Sequence, residues 1–251
     1  FLSFTATAQY TLQGNAVSVG GSCYQLTEAV VDQVGAVWYD ETIDLAQPFD
    51  LQFKMNFGTN SGNGSSLTPG ADGMVFVMQT IGPSAIWNAG DGIGYEGFLP
   101  SLGIEFDTYW NEGNGDLLDD HIGIIKDGSV SHLASTAIAG PVTATSIGAD
   151  IEDGLDHAIQ ITWDPNVQEI NVYFDCESRL VASIDLINDV FSGEAEVTWG
   201  FTSSTGGAFN THTVCLYENA TPTGDVTLCT GQSTQLISGG DLSQPFTWTP
   251  T

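Results

Sequence analysis

The stretch GIEFDTYWNEGNGDLLDDHIGI, residues 103–124, decides how the rest of the chain is read. Ile104 and Phe106 alternate with Glu105 and Asp107, which is the period of a half-buried strand. The same period returns at the far end, where His121 lies on the opposite face from Ile122 and Ile124. Between the two strands sit a glycine-rich turn and a crowd of carboxylates. The chain of 251 residues carries 31 acidic side chains and three basic ones, Lys54, Lys126 and Arg179, so it cannot neutralise that crowd from its own cations. Crowded or buried carboxylates without counter-charges are costly, and a bound metal ion is the usual remedy.

The bulk composition narrows the choices. Hydrophobic residues make up 41% of the chain, enough for a sizeable core and too many for a disordered acidic tail. A formal net charge of -28 argues against nucleic-acid backbones and anionic membranes as partners. No apolar run approaches the roughly 18 residues that a membrane span requires. The opening FLSFTATAQ reads as the end of a secretory leader with an Ala6-Thr7-Ala8 cleavage site, so residues 1–9 are expected to be a leader remnant and the protein to be exported. Export permits disulfides. Cys23, Cys176, Cys215 and Cys229 are too far apart for a zinc ribbon, and their spacing leaves all three full pairings open.

A period of two runs through most of the chain. Phe49, Leu51, Phe53, Met55 and Phe57 share one face, as do Ile159, Ile161 and Trp163, and then Ile170, Val172 and Phe174. DPNVQ between the last two sets is hairpin chemistry. GMVFVMQ, residues 73–79, is a continuous apolar run, as expected for a strand covered on both faces. Only SIDLINDVF, residues 183–191, could be helical, for about two turns. Glycine and Asn, Asp and Ser clusters separate the strands. The reading is an all-β sandwich of two antiparallel sheets.

Within residues 103–124, oxygen donors stand at spacings that suit a hard cation. Calcium takes six to eight oxygens, and Asp107, the Tyr109 carbonyl, Asn111 and Asp116 would supply such a set. Glu105 and His121, sharing Asp107 and Asp116, would form a nitrogen-containing site for manganese or another transition ion.

These residues carry a resemblance. Glu105, Asp107, Tyr109, Asn111, Asp116 and His121, at offsets 0, 2, 4, 6, 11 and 16, resemble the metal-binding segment of legume-type (L-type) lectins. One departure is Leu117, where many members have proline. ADGMVFVMQ resembles the family's strand start, GFTSSTGGAFNTHTV (200–214) its penultimate strand and following loop, and AGDGIGY (89–95), more loosely, its glycine-rich sugar loop. The resemblance covers about residues 10–217. It implies a concanavalin A-like jelly-roll sandwich, with Ca2+ and a second ion, Mn2+ or another transition metal. It further implies that Asp72, preceded by a cis peptide bond, accepts hydrogen bonds from a sugar. The Asn111 amide would donate, as would backbone amides near Asp91 and from Gly207 through Ala208 to Phe209. Tyr109 would stack on the apolar sugar face, with Phe209 a second platform. Asp91 stands where the family usually has glycine.

The same fold hosts glycosidases, so the chemistry has to be read from the site. A retaining glycosidase needs two carboxyl groups about 5–5.5 Å apart. Glu105-Phe106-Asp107 begins the related endoglucanase pattern, but Thr108, Tyr109 and Trp110 follow, and the second catalytic carboxylate is missing. The expectation is a calcium-dependent carbohydrate-binding lectin domain with glycans as partners and no catalysis. Glycoside hydrolysis is a weaker alternative; a structural module with a degenerate sugar site is another. Residues 218–224 read as a linker. Residues 225–251 read as the start of a second β module whose Cys-Thr-Gly-Gln-Ser segment resembles Ig-like or PKD-like modules of bacterial surface proteins. The chain is therefore expected to be the lectin part of a secreted or cell-surface bacterial adhesin.

Overall fold

The computed structural model describes residues 10–61, 70–148 and 150–216. The expected leader remnant, the linker, the second module and Cys229 lie outside the described residues. Fifteen strands make up the described fold. In chain order they are β1 Tyr10–Gly14, β2 Val17–Gly20, β3 Cys23–Thr27, β4 Val34–Tyr39, β5 Ile43–Asp44 and β6 Phe49–Asn56. The middle set is β7 Gly73–Gln79, β8 Ser101–Asp107, β9 His121–Lys126 and β10 Ala137–Thr143. The last five are β11 His157–Asp164, β12 Glu169–Phe174, β13 Glu177–Ser183, β14 Glu196–Ser204 and β15 His212–Leu216.

They form two antiparallel sheets. The front sheet runs β1-β4-β14-β7-β8-β9-β10, with β5 attached to β14. The back sheet runs β13-β12-β11-β6-β15-β3-β2. Neighbours far apart in sequence, such as β14 beside β7 and β15 beside β6, give the crossed connections of a jelly-roll sandwich. Alternation decides what each face meets. Phe53 and Met55 from the back sheet interleave with Phe76, Met78, Ile104, Phe106 and Phe201 from the front sheet in one buried core. The Phe53 and Phe201 rings meet edge-on with centroids 4.7 Å apart, an arrangement that adds to simple burial. The Cys23–Cys215 disulfide cross-links directly paired residues of β3 and β15.

The front sheet has a second, smaller core on its outer face. Trp38, Val75, Val77 and Ile125 are covered there by Ala85, Ile93, Tyr95 and Phe98 of the long connection between β7 and β8. This explains why every residue of β7 is buried, as its unbroken apolar sequence foretold. The expected hairpin joins β11 to β12, with Gln168 at positive φ. The expected two-turn helix is shorter: a single π-helical turn, Leu186–Val190, capped by Asp185 accepting from the Asn188 amide. Leu186 and Val190 are the residues it buries, and so short an apolar stripe supports no second turn.

Candidate metal centre and ligand loops

The centre is built on the outer face of β8 and β9. Their register pairs Asp107 with His121 and Glu105 with Gly123. Because side chains alternate, Glu105, Asp107 and His121 project outward while Phe106 and Ile122 enter the core. The connection from Thr108 to Asp120 then folds back over that face. Asn111 leads into a 3-10 turn, Glu112–Asn114, which Gly115 ends at φ 83. The turn returns Asp116 to the strands, where its Oδ2 accepts from the Asn111 amide at 2.7 Å. Asp107 Oδ1 accepts from the Tyr109 amide at the same distance.

The result is a pocket of buried carboxylates. Both Glu105 oxygens and Asp116 Oδ1 are buried without a hydrogen bond, as is His121 Nε2. His121 Nε2 stands 3.9 Å from Glu105 Oε1, 3.9 Å from Asp107 Oδ2 and 3.8 Å from Asp116 Oδ1. The imidazole Nδ1 lies 3.3 Å from the Asp119 carbonyl, which fixes the ring and leaves the Nε2 lone pair facing the carboxylates. Burial, with the neighbouring His132 second, lowers the His121 pKa to about 4, so the ring is neutral and able to ligate at neutral pH. Burial raises Glu105 and Asp107, and raises Asp116 to about 6. Two overlapping groups, Glu105, His121 and His132, and Asp107, Asp116 and His121, have the donor atoms and spacing to hold a metal ion.

The residues expected to meet a ligand lie beside this pocket. Asp72 precedes β7, whose first residue, Gly73, pairs with Asp107. The Ala71–Asp72 peptide is cis, as the family resemblance implied. Asp72 is buried and its Oδ2 has no hydrogen-bond partner. Burial and then the charge of Asp91 raise its pKa to about 7. Two further loops close on the same spot. Ser204 Oγ donates to the Gly90 carbonyl at 2.6 Å, joining the 89–95 loop to the end of β14. Gly206 is close enough that a Cβ there would sit 3.8 Å from Asp72 Oδ2. Gly207 faces open space. Ala208 turns the chain back through its carbonyl, which accepts from the Gly206 amide. Phe209 and Tyr109 are partly exposed, and Trp110 is exposed. Asp72, Asp91, Asp107 and Asp116 thus form one electrostatic neighbourhood, drawn from three separate segments.

A sequence profile described as the legume lectin beta-barrel domain matches residues 4–218. The chain belongs to that family. This legume lectin domain is 25% identical over 246 residues to the L-type lectin-domain containing receptor kinase I.10 of Arabidopsis thaliana, covering 89% of this chain and 38% of that relative. The chain therefore spans well under half of the relative's length. Among solved structures, the Bauhinia forficata lectin in complex with GalNAc matches at TM-score 0.63 and 19% identity, over 84% of this chain and 91% of its own. The winged bean acidic lectin complexed with methyl-alpha-D-galactose matches at TM-score 0.63 and 22% identity, over 86% and 92%. Peanut lectin with a nine-residue peptide matches at TM-score 0.61 and 21% identity, over 85% and 90%.

Two parts of the lectin domain's site escaped the sequence reading. His132, in the segment between β9 and β10, places Nε2 2.5 Å from Glu105 Oε1. A lone histidine in a polar loop carries no spacing signal, and only the fold brings it to the pocket. The second is a clamp under the ligand loops. Asn210, buried, accepts from the Thr59 and Asn60 amides and donates to the Asn60 carbonyl and to Glu152 Oε1, both at 2.9 Å. Burial, then Asp120, raises Glu152 to about 9, so it is held as the neutral acid.

Proposed function

We propose that this lectin domain binds carbohydrate in a calcium-dependent manner and does no catalysis. The observation that carries the reading is the convergence of Asp72, the 89–95 loop and the 204–209 loop beside a buried carboxylate pocket whose inward-facing oxygens lack partners. The donor set fits the expected ions. Asp107, the Tyr109 carbonyl, Asn111 and Asp116 are the oxygen donors for calcium, and Glu105, Asp107, Asp116 and His121 are the donors for a transition ion. Bound cations would neutralise the pocket and fix the 108–120 loop. Asp72 then accepts from sugar hydroxyls, the Asn111 side-chain amide donates, and backbone amides near Asp91 and from Gly207 to Phe209 add donors. Tyr109 supplies the apolar platform.

The whole protein is read as secreted or cell-surface, with the lectin domain as the glycan-binding part of a bacterial adhesin. The Cys23–Cys215 disulfide supports an oxidising compartment. Absence of a second carboxylate in the endoglucanase pattern after Asp107 supports a binder.

The deciding experiment is a glycan array probed with the purified protein in calcium and again in excess chelator. It should include galactose and GalNAc glycans, the sugars carried by two structural neighbours. Calcium-dependent binding is expected. An array blank under both conditions would overturn the reading.

A further inference from the structure

The pocket holds one more imidazole than the sequence pattern requires. His132 enters from a segment outside the 103–124 stretch, anchored where its own amide donates to the Asn114 carbonyl at 2.8 Å. That bond ties it to the loop that carries Asp116. Its side chain is 1% exposed. Gly123 of β9 makes the room, since a Cβ there would run into the His132 ring. The ring meets that of His121 edge-on, with centroids 5.3 Å apart.

His132 points inward with the other donors. Its Nε2 lies 2.5 Å from Glu105 Oε1 and 3.9 Å from Asp116 Oδ1. The two face each other as a buried pair, and Glu105, His121 and His132 together offer ligand atoms that lie within 4.8 Å of one another. Donors around one ion with bonds of about 2.0–2.1 Å stand about 3 Å apart when adjacent and about 4 Å apart when opposite. The separations of 2.5 to 3.9 Å among Glu105, Asp107, Asp116, His121 and His132 fall close to that range.

We propose that His132 is a direct ligand of the transition ion, so that the site presents two imidazoles and is tuned toward zinc and away from manganese. This rests on the proposed metal-dependent reading and adds a residue and a preference to it. The chemical reason is ligand type. Carboxylate-rich sites suit manganese, and each imidazole added favours zinc, cobalt and nickel. Because almost any site binds zinc more tightly than manganese, the diagnostic quantity is the change in the zinc-to-manganese ratio when His132 is removed.

The test uses calorimetric titration of the metal-stripped, calcium-loaded protein with Zn2+ and with Mn2+, for the parent and for His132→Ser. Even a ligand's outer partner is worth about 10- to 100-fold in metal affinity, so loss of a direct nitrogen donor should weaken zinc by at least about tenfold. Manganese should weaken less, so the ratio narrows. A calcium-dependent melting shift retained in His132→Ser shows that the variant is folded. A second measurement needs no variant. The Co2+-substituted parent should show two exchangeable, hyperfine-shifted imidazole N–H resonances, one per ligating histidine. An unchanged zinc-to-manganese ratio, or a single shifted resonance, overturns the proposal while leaving calcium-dependent sugar binding standing. Parent protein that takes calcium but no transition ion has the same effect. Parent protein that takes neither overturns the metal reading itself.

Discussion

The amide of Thr108 donates to the carbonyl of Asp72 at 3.2 Å. This bond joins the residue expected to accept from a sugar to the residue that follows the metal-facing Asp107. On its other side, the Asp72 amide donates to the Ser204 carbonyl at 3.1 Å. The Asp72 peptide is braced between the start of the metal loop and the end of β14. Under the proposed reading, order in the 108–120 loop would set where the Asp72 carboxylate points, and sugar binding there would depend on the ions.

The first expectation follows from mass action. An ion that binds only the folded protein stabilises it by about 2.7 kcal/mol at a free concentration of 100 times its Kd. Excess chelator should therefore lower the Tm clearly. Asp107→Ala and Asp116→Ala should each abolish the calcium-dependent shift. Identical melting curves with calcium and with chelator would sink the metal reading.

Asp72→Asn separates the sugar site from the metal site. An ionised Asp72 only accepts, whereas Asn adds donors where paired hydroxyls already donate. The cost should be about 1.5–3 kcal/mol of sugar affinity, the range for a hydrogen bond to a charged group. The calcium-dependent melting shift should largely survive, whereas Asp107→Ala loses both. Titration with the best array glycan beside thermal melts checks the split; binding equal to the parent's would place the sugar elsewhere.

Stability without metal should fall with alkalinity. Glu152 is raised to about 9 and Asp120 to about 7, chiefly by burial. Over the range between their ordinary values and these, the folded chain holds protons that the unfolded chain has released. Their contribution is full below the ordinary carboxylate range and is lost as pH rises through the folded values. His121 and His212, lowered to about 4 and about 3, act oppositely, but only as pH falls below about 6.5. His132 and His157, both raised above the ordinary histidine value, act in the same direction as the carboxylates, so the net trend across the window from pH 7 to 9 is a loss of stability. In chelator, the Tm should drop across it, and Glu152→Gln should flatten the drop. Calcium should make it shallower, because an ion bound at Asp107 and Asp116 displaces the protons that their raised carboxyls would otherwise hold. A Tm in chelator that rises from pH 7 to 9 would contradict this.

Catalysis offers a fourth check. No release of reducing ends is expected from β-glucans, galactans or other common polysaccharides. Hydrolysis at enzyme-like rates, lost in Glu105→Gln, would show that the pocket is an active site.

The Cys23–Cys215 bond joins residues 192 apart in sequence. Removing a native disulfide costs about 2–5 kcal/mol, so the Cys23→Ala, Cys215→Ala double variant should melt lower by on the order of 10 °C. An unchanged Tm would mean that the ladder between β3 and β15 holds by itself.

The sequence by itself determined the facing of the strands and most of the candidate metal centre. Period-two alternation is local, so Phe49 to Met55 and Ile104 to Asp107 announce which face each strand buries without knowledge of the partner. Glu105, Asp107, Asn111, Asp116 and His121 are legible for the same reason: one hairpin carries them all, and register is fixed within it. The tertiary structure alone decided the rest. Strand order, with β14 beside β7 and β15 beside β6, depends on long-range pairing that no local pattern encodes. The choice of Cys215 as the partner of Cys23 follows from that pairing. The approach of His132 to Glu105, and the clamp from Asn210 to Glu152, join residues whose separation along the chain carries no periodic signal. The SIDLINDVF segment shows the converse: its apolar spacing allowed two helical turns, and packing against the core permitted one. Alternation fixes which way a side chain faces, and only closure of the sandwich fixes what it meets there.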